Sequence, residues 1–189
     1  APTLVSEVGY IALGVGLANR NGLTGAILHI LNDSFMMLAL FLVVGAIMYR
    51  SHSREIPQLR YMHRKMPFTM AAFVIAGLSV IGIPPTCGFF SKWYLVLGAI
   101  DARQWVFVAV LLISSLLAVI LFFRVIENAY LEPREEYTGG GSELAIATEE
   151  APLSLLMPIL IAGAGILLLG IMSGEIISTI IRFAVPGCF

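Results

Sequence analysis

The chain has 189 residues, of which 59% are hydrophobic and only 12% charged, with a net charge of −1 and a mean hydropathy of +0.93. Soluble domains carry about 25% charged residues, so this composition excludes a globular soluble, a disordered or a nucleic-acid-binding protein. Its apolar residues fall into runs long enough to cross a bilayer, so the chain reads as an all-α, multi-pass integral membrane protein.

Five crossings are predicted. The first covers about Thr3 to Ala18 and is short, as a truncated helix would be. The chain begins without Met, enters an apolar stretch almost at once and shows no signal peptide, so it reads as a fragment of a longer protein. Asn19-Arg20-Asn21-Gly22 is the predicted turn, because Asn and Gly accept left-handed conformations. The second crossing runs from Leu23 to Tyr49, about 40 Å at 1.5 Å per residue, longer than the roughly 30 Å hydrocarbon core. Arg50 to Lys65 follows as a basic, solvated loop containing His52 and His63. By the positive-inside rule this loop lies in the cytoplasm.

The stretch from Pro67 to Ile100 is too long for one straight helix and too short for two. Gly82, Pro84, Pro85 and Gly88 stand in its middle. Two prolines remove two backbone donors and push the preceding residues out of the helical region. The prediction is one discontinuous helix, with a half up to Ile81, an irregular link and a half from Phe89. A fourth crossing covers Gln104 to Ala129. An acidic, flexible loop with Gly139-Gly140-Gly141 and six glutamates leads to the fifth, Leu153 to Met172. A short amphipathic tail, Glu175 to Val185, extends it.

An ionisable side chain inside a crossing costs about 3 kcal/mol on insertion scales, so each one needs a reason. His29 and Asp33 are four apart and share a helical face, with Asn32 beside them. Both have reference pKa values within a few units of neutrality, so the two in reach of each other could pass a proton; they could equally pack helices by hydrogen bonding. Lys92 follows the Pro-Pro break. Either it switches protonation state in a cavity lined by the broken helix, or it snorkels to an interface with Trp93 and Tyr94. Arg124 and Glu127, three apart, read most simply as an interfacial ion pair. Glu7 lies in the first apolar run, either buried or at a ragged helix end.

Other chemistry is not visible. There is no Gly-rich phosphate loop, Cys-x-x-Cys or His-Glu-x-x-His, and no nucleophile with a placed base. The chain therefore shows no active site, cofactor site or metal site of its own. Cys87 and Cys188 read as small apolar side chains, and Met36 and Met37 as packing.

Met66-Pro67-x-Thr69-x-x-x-Phe73, followed by Leu78-Ser79-x-x-Gly82-x-Pro84-Pro85-x-x-Gly88-Phe89-x-Ser91-Lys92, resembles the proton-antiporter-like membrane subunits. That family includes subunits A and D of the Mrp antiporter, the antiporter-like subunits of respiratory complex I and their counterparts in membrane-bound hydrogenases. These two segments carry the likeness most specifically. Ser6-Glu7-Val8-Gly9-Tyr10 is similar to the family's Ser-Gln-x-Gly-Tyr. His29-x-x-Asn32-Asp33 with Leu40-Phe41-Leu42-x-x-Gly45 is similar to its His-x-x-x-His-x-x-x-Lys segment. Phe123-Arg124-Val125-Ile126-Glu127 also fits.

The resemblance implies a subunit of about fourteen helices in two inverted repeats, each with one broken helix. Residues 1–131 would then be second-repeat helices, 132–151 the acidic loop, and 152–189 a last helix and tail. It implies a multi-pass protein of a prokaryotic cytoplasmic membrane that moves protons or sodium. Its partners would be the lipid bilayer and other membrane subunits of an Mrp-type antiporter or a respiratory or hydrogenase complex, with no nucleic acid. Lys92, His29 and Asp33 would carry protons, with Glu7, Arg124 and Glu127 secondary. Any electron-transfer chemistry would belong to a partner. Two departures stand out: Asp33 replaces the family's second His, and Met37 replaces its following lysine. They favour an alternative, a structural subunit that has lost transport. The lack of a long lateral helix after the last crossing points to a D-type subunit.

Overall fold

The computed structural model describes residues 2–51, 62–130 and 150–181. In chain order the helices are α1 (Pro2–Gly16), α2 (Arg20–Ser51), α3 (Met62–Lys65), α4 (Pro67–Ile81), α5 (Cys87–Asp101), α6 (Trp105–Tyr130), α7 (Leu153–Ile171) and α8 (Ser173–Ile176). A π-helical turn, Ile177–Ile181, follows. Among the described residues there is no strand. Arg20–Arg50, Trp105–Tyr130 and Leu153–Ile171 are long and apolar enough to cross a membrane, and Leu4–Gly16 and Pro67–Ile81 are shorter apolar helices.

Helix α2 is central and touches α1, α4, α5 and α7. The main core lies between α2, α4 and α7, around Met36, Val43, Met70, Val80, Ile159 and Ile166. A smaller cluster, Tyr10, Leu95 and Leu111, joins α1, α5 and α6. Helix α6 lies outside these and buries only Leu111, Phe122 and Ala129 among its residues. Its remaining apolar surface suits lipid or a neighbouring subunit, since a membrane helix needs no polar outer face.

The first break falls earlier than predicted. Ala18 takes the left-handed conformation, with φ 46°, and Arg20 is already helical. The reason is Asn19, whose Oδ1 accepts the Gly22 N–H at 2.7 Å and so caps α2. Its Nδ2 donates to the Gly98 carbonyl at 2.6 Å and ties this corner to the end of α5.

The discontinuous helix forms where the prolines require it. Helix α4 starts on Pro67, whose missing N–H costs nothing there. It stops at Ile81 because Gly82 adopts φ 93°, a conformation that carries a strain for any residue with a Cβ. The N–H groups of Gly82 and Ile83 both close on the Leu78 carbonyl at 3.0 Å. Thr86 Oγ1 donates to the Ile83 carbonyl at 2.6 Å, and α5 begins at Cys87, two residues before the Phe89 expected.

The acidic loop, apart from its last residues, and residues 52–61 of the basic loop, with His52, lie outside the described residues, as does the tail beyond Ile181. Glu150 is described, and it is not a free loop charge. Its Oε1 accepts the Phe68 N–H at 2.6 Å and its Oε2 accepts the Thr69 hydroxyl at 3.0 Å. These donors open α4, where a negative charge meets the positive end of the helix dipole. The Glu150 carbonyl in turn accepts two bonds from the Arg50 guanidinium, at 2.6 and 3.1 Å. Glu150→Ala is expected to cost about 1 kcal/mol, as loss of a helix cap does. Thermal unfolding of the detergent-solubilised protein checks this; an unchanged midpoint would show that the cap contributes nothing. His63 is likewise not simply solvated: its Nδ1 lies 2.6 Å from the Ala129 carbonyl and its ring stacks on Tyr130, with centroids 4.7 Å apart.

Candidate functional site

The buried polar side chains of the described residues gather where α1, α2 and the α4–α5 break meet. Glu7, His29, Asn32, Ser79, Ser91 and Lys92 are all buried there. Glu7 is 1% exposed, which settles the choice left open by the sequence. It stands one helical turn before Tyr10, so both face α2 and α5.

Both ring nitrogens of His29 face polar partners. Nδ1 lies 2.9 Å from Ser91 Oγ. Ser91 donates its own proton to the Gly88 carbonyl at 3.1 Å, which leaves its lone pair for an Nδ1–H of His29. In that tautomer Nε2 faces Glu7 Oε2 at 3.1 Å, an ion-pair contact without hydrogen-bond alignment. Two titratable side chains from α1 and α2 thus face each other in a buried position.

The expected His29–Asp33 contact is not formed. Asp33 is half-buried, and its Oδ1 is buried without a hydrogen-bond partner. Sharing a helical face brings two Cβ atoms near, but α1 and α5 supply closer partners for the imidazole. Asn32 donates from Nδ2 to the Cys87 carbonyl at 2.8 Å, at the first residue of α5. Its Oδ1 is buried and unpaired.

Lys92 points inward. It is 8% exposed, and its Nζ donates to the Val80 carbonyl at 2.5 Å. That carbonyl belongs to the last turn of α4, where a helix leaves its C=O groups without partners. The broken helix thus supplies both the lysine and the acceptor that holds it, and the neighbouring Trp93 is left exposed. The interfacial snorkel is not the geometry here.

The link residues act through backbone. Gly82 ends α4, the Pro84–Pro85 peptide is cis, and Gly88 donates its N–H to Ser79 Oγ at 3.1 Å. Arg124 and Glu127 are exposed on α6 and form no ion pair with each other, so neither belongs to this cluster nor makes the expected interfacial bridge. Tyr10 and Ser91 stood in the sequence only as motif residues with no role assigned. Their spacing to Glu7 and Lys92 was the available signal, and their contacts to His29 and Lys92 come from the packing. Among the described residues no cluster of His, Cys, Asp and Glu could hold a metal ion.

The model of the NADH:quinone oxidoreductase/Mrp antiporter transmembrane family matches residues 3–118. The chain belongs to this family. It is 46% identical over 188 residues to NADH-quinone oxidoreductase subunit N of Desulforudis audaxviator, covering 96% of this chain and 37% of that protein. It is 32% identical over 128 residues to the antiporter subunit mnhD2 of Staphylococcus saprophyticus, covering 68% of this chain and 26% of that protein. The chain therefore spans about a third of the length of these relatives. The Mrp complex of Dietzia sp. has a chain with TM-score 0.80 and 27% identity, matched over 92% of this chain and 39% of that one. Respiratory complex I of Thermus thermophilus has a chain with TM-score 0.78 at 23% identity, over 93% of this chain and 35% of that one, a likeness of fold. The chain is thus an integral membrane, antiporter-like chain, as its motifs and composition predicted.

Proposed function

We propose that this chain carries part of a proton path, with Lys92 as its central titrating group and the Glu7–His29 pair as a second proton-holding site. The observation that carries this reading is Lys92 itself: a buried lysine held on the open carbonyl of a broken helix, next to a buried acid–histidine pair. A group in such a place is expensive to bury and has no packing role that Leu or Met would not fill better. Loading a proton on one site changes the electrostatic cost of loading the other, which is how neighbouring charges couple. The relatives support the role, because they are named as antiporter and quinone oxidoreductase subunits. The partners under this reading are other membrane subunits of an Mrp-type or respiratory complex.

Lys92→Ala in the full-length protein within its complex tests the reading. Transport falling to background supports it, and parental transport overturns it. Asp33 completes the path only if its unpaired Oδ1 serves the proton. Asp33→Asn keeps shape and removes the exchangeable charge, so a several-fold loss of transport with normal assembly is expected. Equal transport would leave Asp33 as helix packing. The alternative of a structural subunit without transport rests on Met37 standing where the family has a lysine, and it predicts parental complex activity in both variants.

A further inference from the structure

Tyr10 joins three groups that no sequence pattern links. Its ring lies under Lys92, with Nζ 4.8 Å from the centroid. The same ring meets His29 edge to face, with centroids 5.5 Å apart and planes at 78°. Its hydroxyl donates to Ser114 Oγ on α6 at 2.6 Å. The side chain is 5% exposed, and Leu95 and Leu111 pack around it.

We propose that Tyr10 is a positioning residue that senses the charge on Lys92 and transmits it to α6 through Ser114. The inference rests on the reading of Lys92 as a titrating group. A ring quadrupole attracts an ammonium and not a neutral amine. The Val80 carbonyl accepts a hydrogen bond from either form, though more strongly from the ammonium, and of the two contacts that hold Nζ only the ring contact leads on to α6. The ring is stiff, with two side-chain torsions, and its far end is hydrogen-bonded to α6. A change in its position therefore reaches that helix.

The other charged groups around Lys92 come from α1 and α2. Glu7 faces it from α1, and His29 and Asp33 lie on α2. Helices α4 and α7 contain no titratable residue, and on α6 Arg124 and Glu127 are exposed. The contact between Lys92 and Tyr10 thus adds a charge-dependent link to α6 beside the direct packing of α5 on that helix.

The test is proton transport by the full-length protein in its complex, reconstituted in liposomes and measured across pH. Tyr10→Phe keeps the ring and cuts the bond to Ser114. It is expected to keep the parental pH midpoint while the rate falls several-fold, and Ser114→Ala is expected to do the same. Tyr10→Leu removes the ring, so the proton leaves Lys92 more readily and the midpoint moves to lower pH by about half a unit. A parental midpoint in Tyr10→Leu overturns the sensing role. A parental rate in both Tyr10→Phe and Ser114→Ala overturns the link to α6. Where Tyr10→Leu does not assemble, Ser114→Ala alone decides between support and refutation by the same rate criterion. Parental transport in Lys92→Ala would instead sink the reading on which the inference stands, so the two failures are separable.

Discussion

Lys92→Ala is expected to lower transport at least tenfold while the complex still assembles. Alanine removes the titrating amine and leaves the Val80 carbonyl without its donor. A carbonyl orphaned in a buried site costs about 1–3 kcal/mol, which a helical membrane protein of this kind can absorb without unfolding. Lys92→Arg separates charge from exchange. Arginine keeps a positive charge and several donors, but it does not release its proton at any working pH. Assembly and thermal stability should therefore stay close to parental in Lys92→Arg, while transport is lost as in Lys92→Ala. Proton uptake into liposomes containing the full complex measures both variants. Parental uptake in Lys92→Arg would show that a fixed charge suffices and that no proton leaves this residue.

Gly88→Ala is expected to damage the site through backbone alone. A Cβ at this position would sit 1.9 Å from the Ser79 carbonyl oxygen and 2.9 Å from its carbon. Neither is a flexible side-chain tip, so the two halves of the broken helix must move apart. Overpacking of this kind costs roughly 1–3 kcal/mol, and a backbone clash lies toward the upper end. The shift also carries the Gly88 carbonyl, which accepts from Ser91, and through Ser91 it disturbs His29. The expected result is a lower yield of assembled complex and a lower unfolding temperature, with transport per assembled complex reduced. Gly45→Ala is the control, since nothing lies within 4 Å of a Cβ there. Equal behaviour of the two variants would mean that the α4–α5 approach is slack.

Much of the fold was legible because its signals are local. Gly82 followed by two prolines constrains the backbone wherever the segment sits, so α4 ends at Ile81, in the place expected. The start of α5 came two residues early: Thr86 is extended, its hydroxyl turns back to the Ile83 carbonyl, and the helix begins directly after it. The turn after α1 was misplaced for a similar reason: Asn19 was read as a turn former and acts as a helix cap. Glu150 was read as one charge among many in an acidic loop. Its role at the start of α4 depends on a fold that brings together residues 82 apart in the chain.

The candidate site divides along the same line. Lys92 and His29 were visible because a charged or titratable group in an apolar run stands out at any position. Their partners were not visible. The sequence paired His29 with Asp33 by helical spacing, whereas α1 supplies Glu7 and α5 supplies Ser91. By itself, then, the sequence determined the membrane class, the limits of most helices and the place of the break, because composition, periodicity and proline geometry act within a few residues. Which buried polar groups meet follows from the packing of the helices instead. That outcome depends on the packing of separate helices, where each unsatisfied donor or acceptor takes the partner that a neighbouring helix brings within about 3 Å.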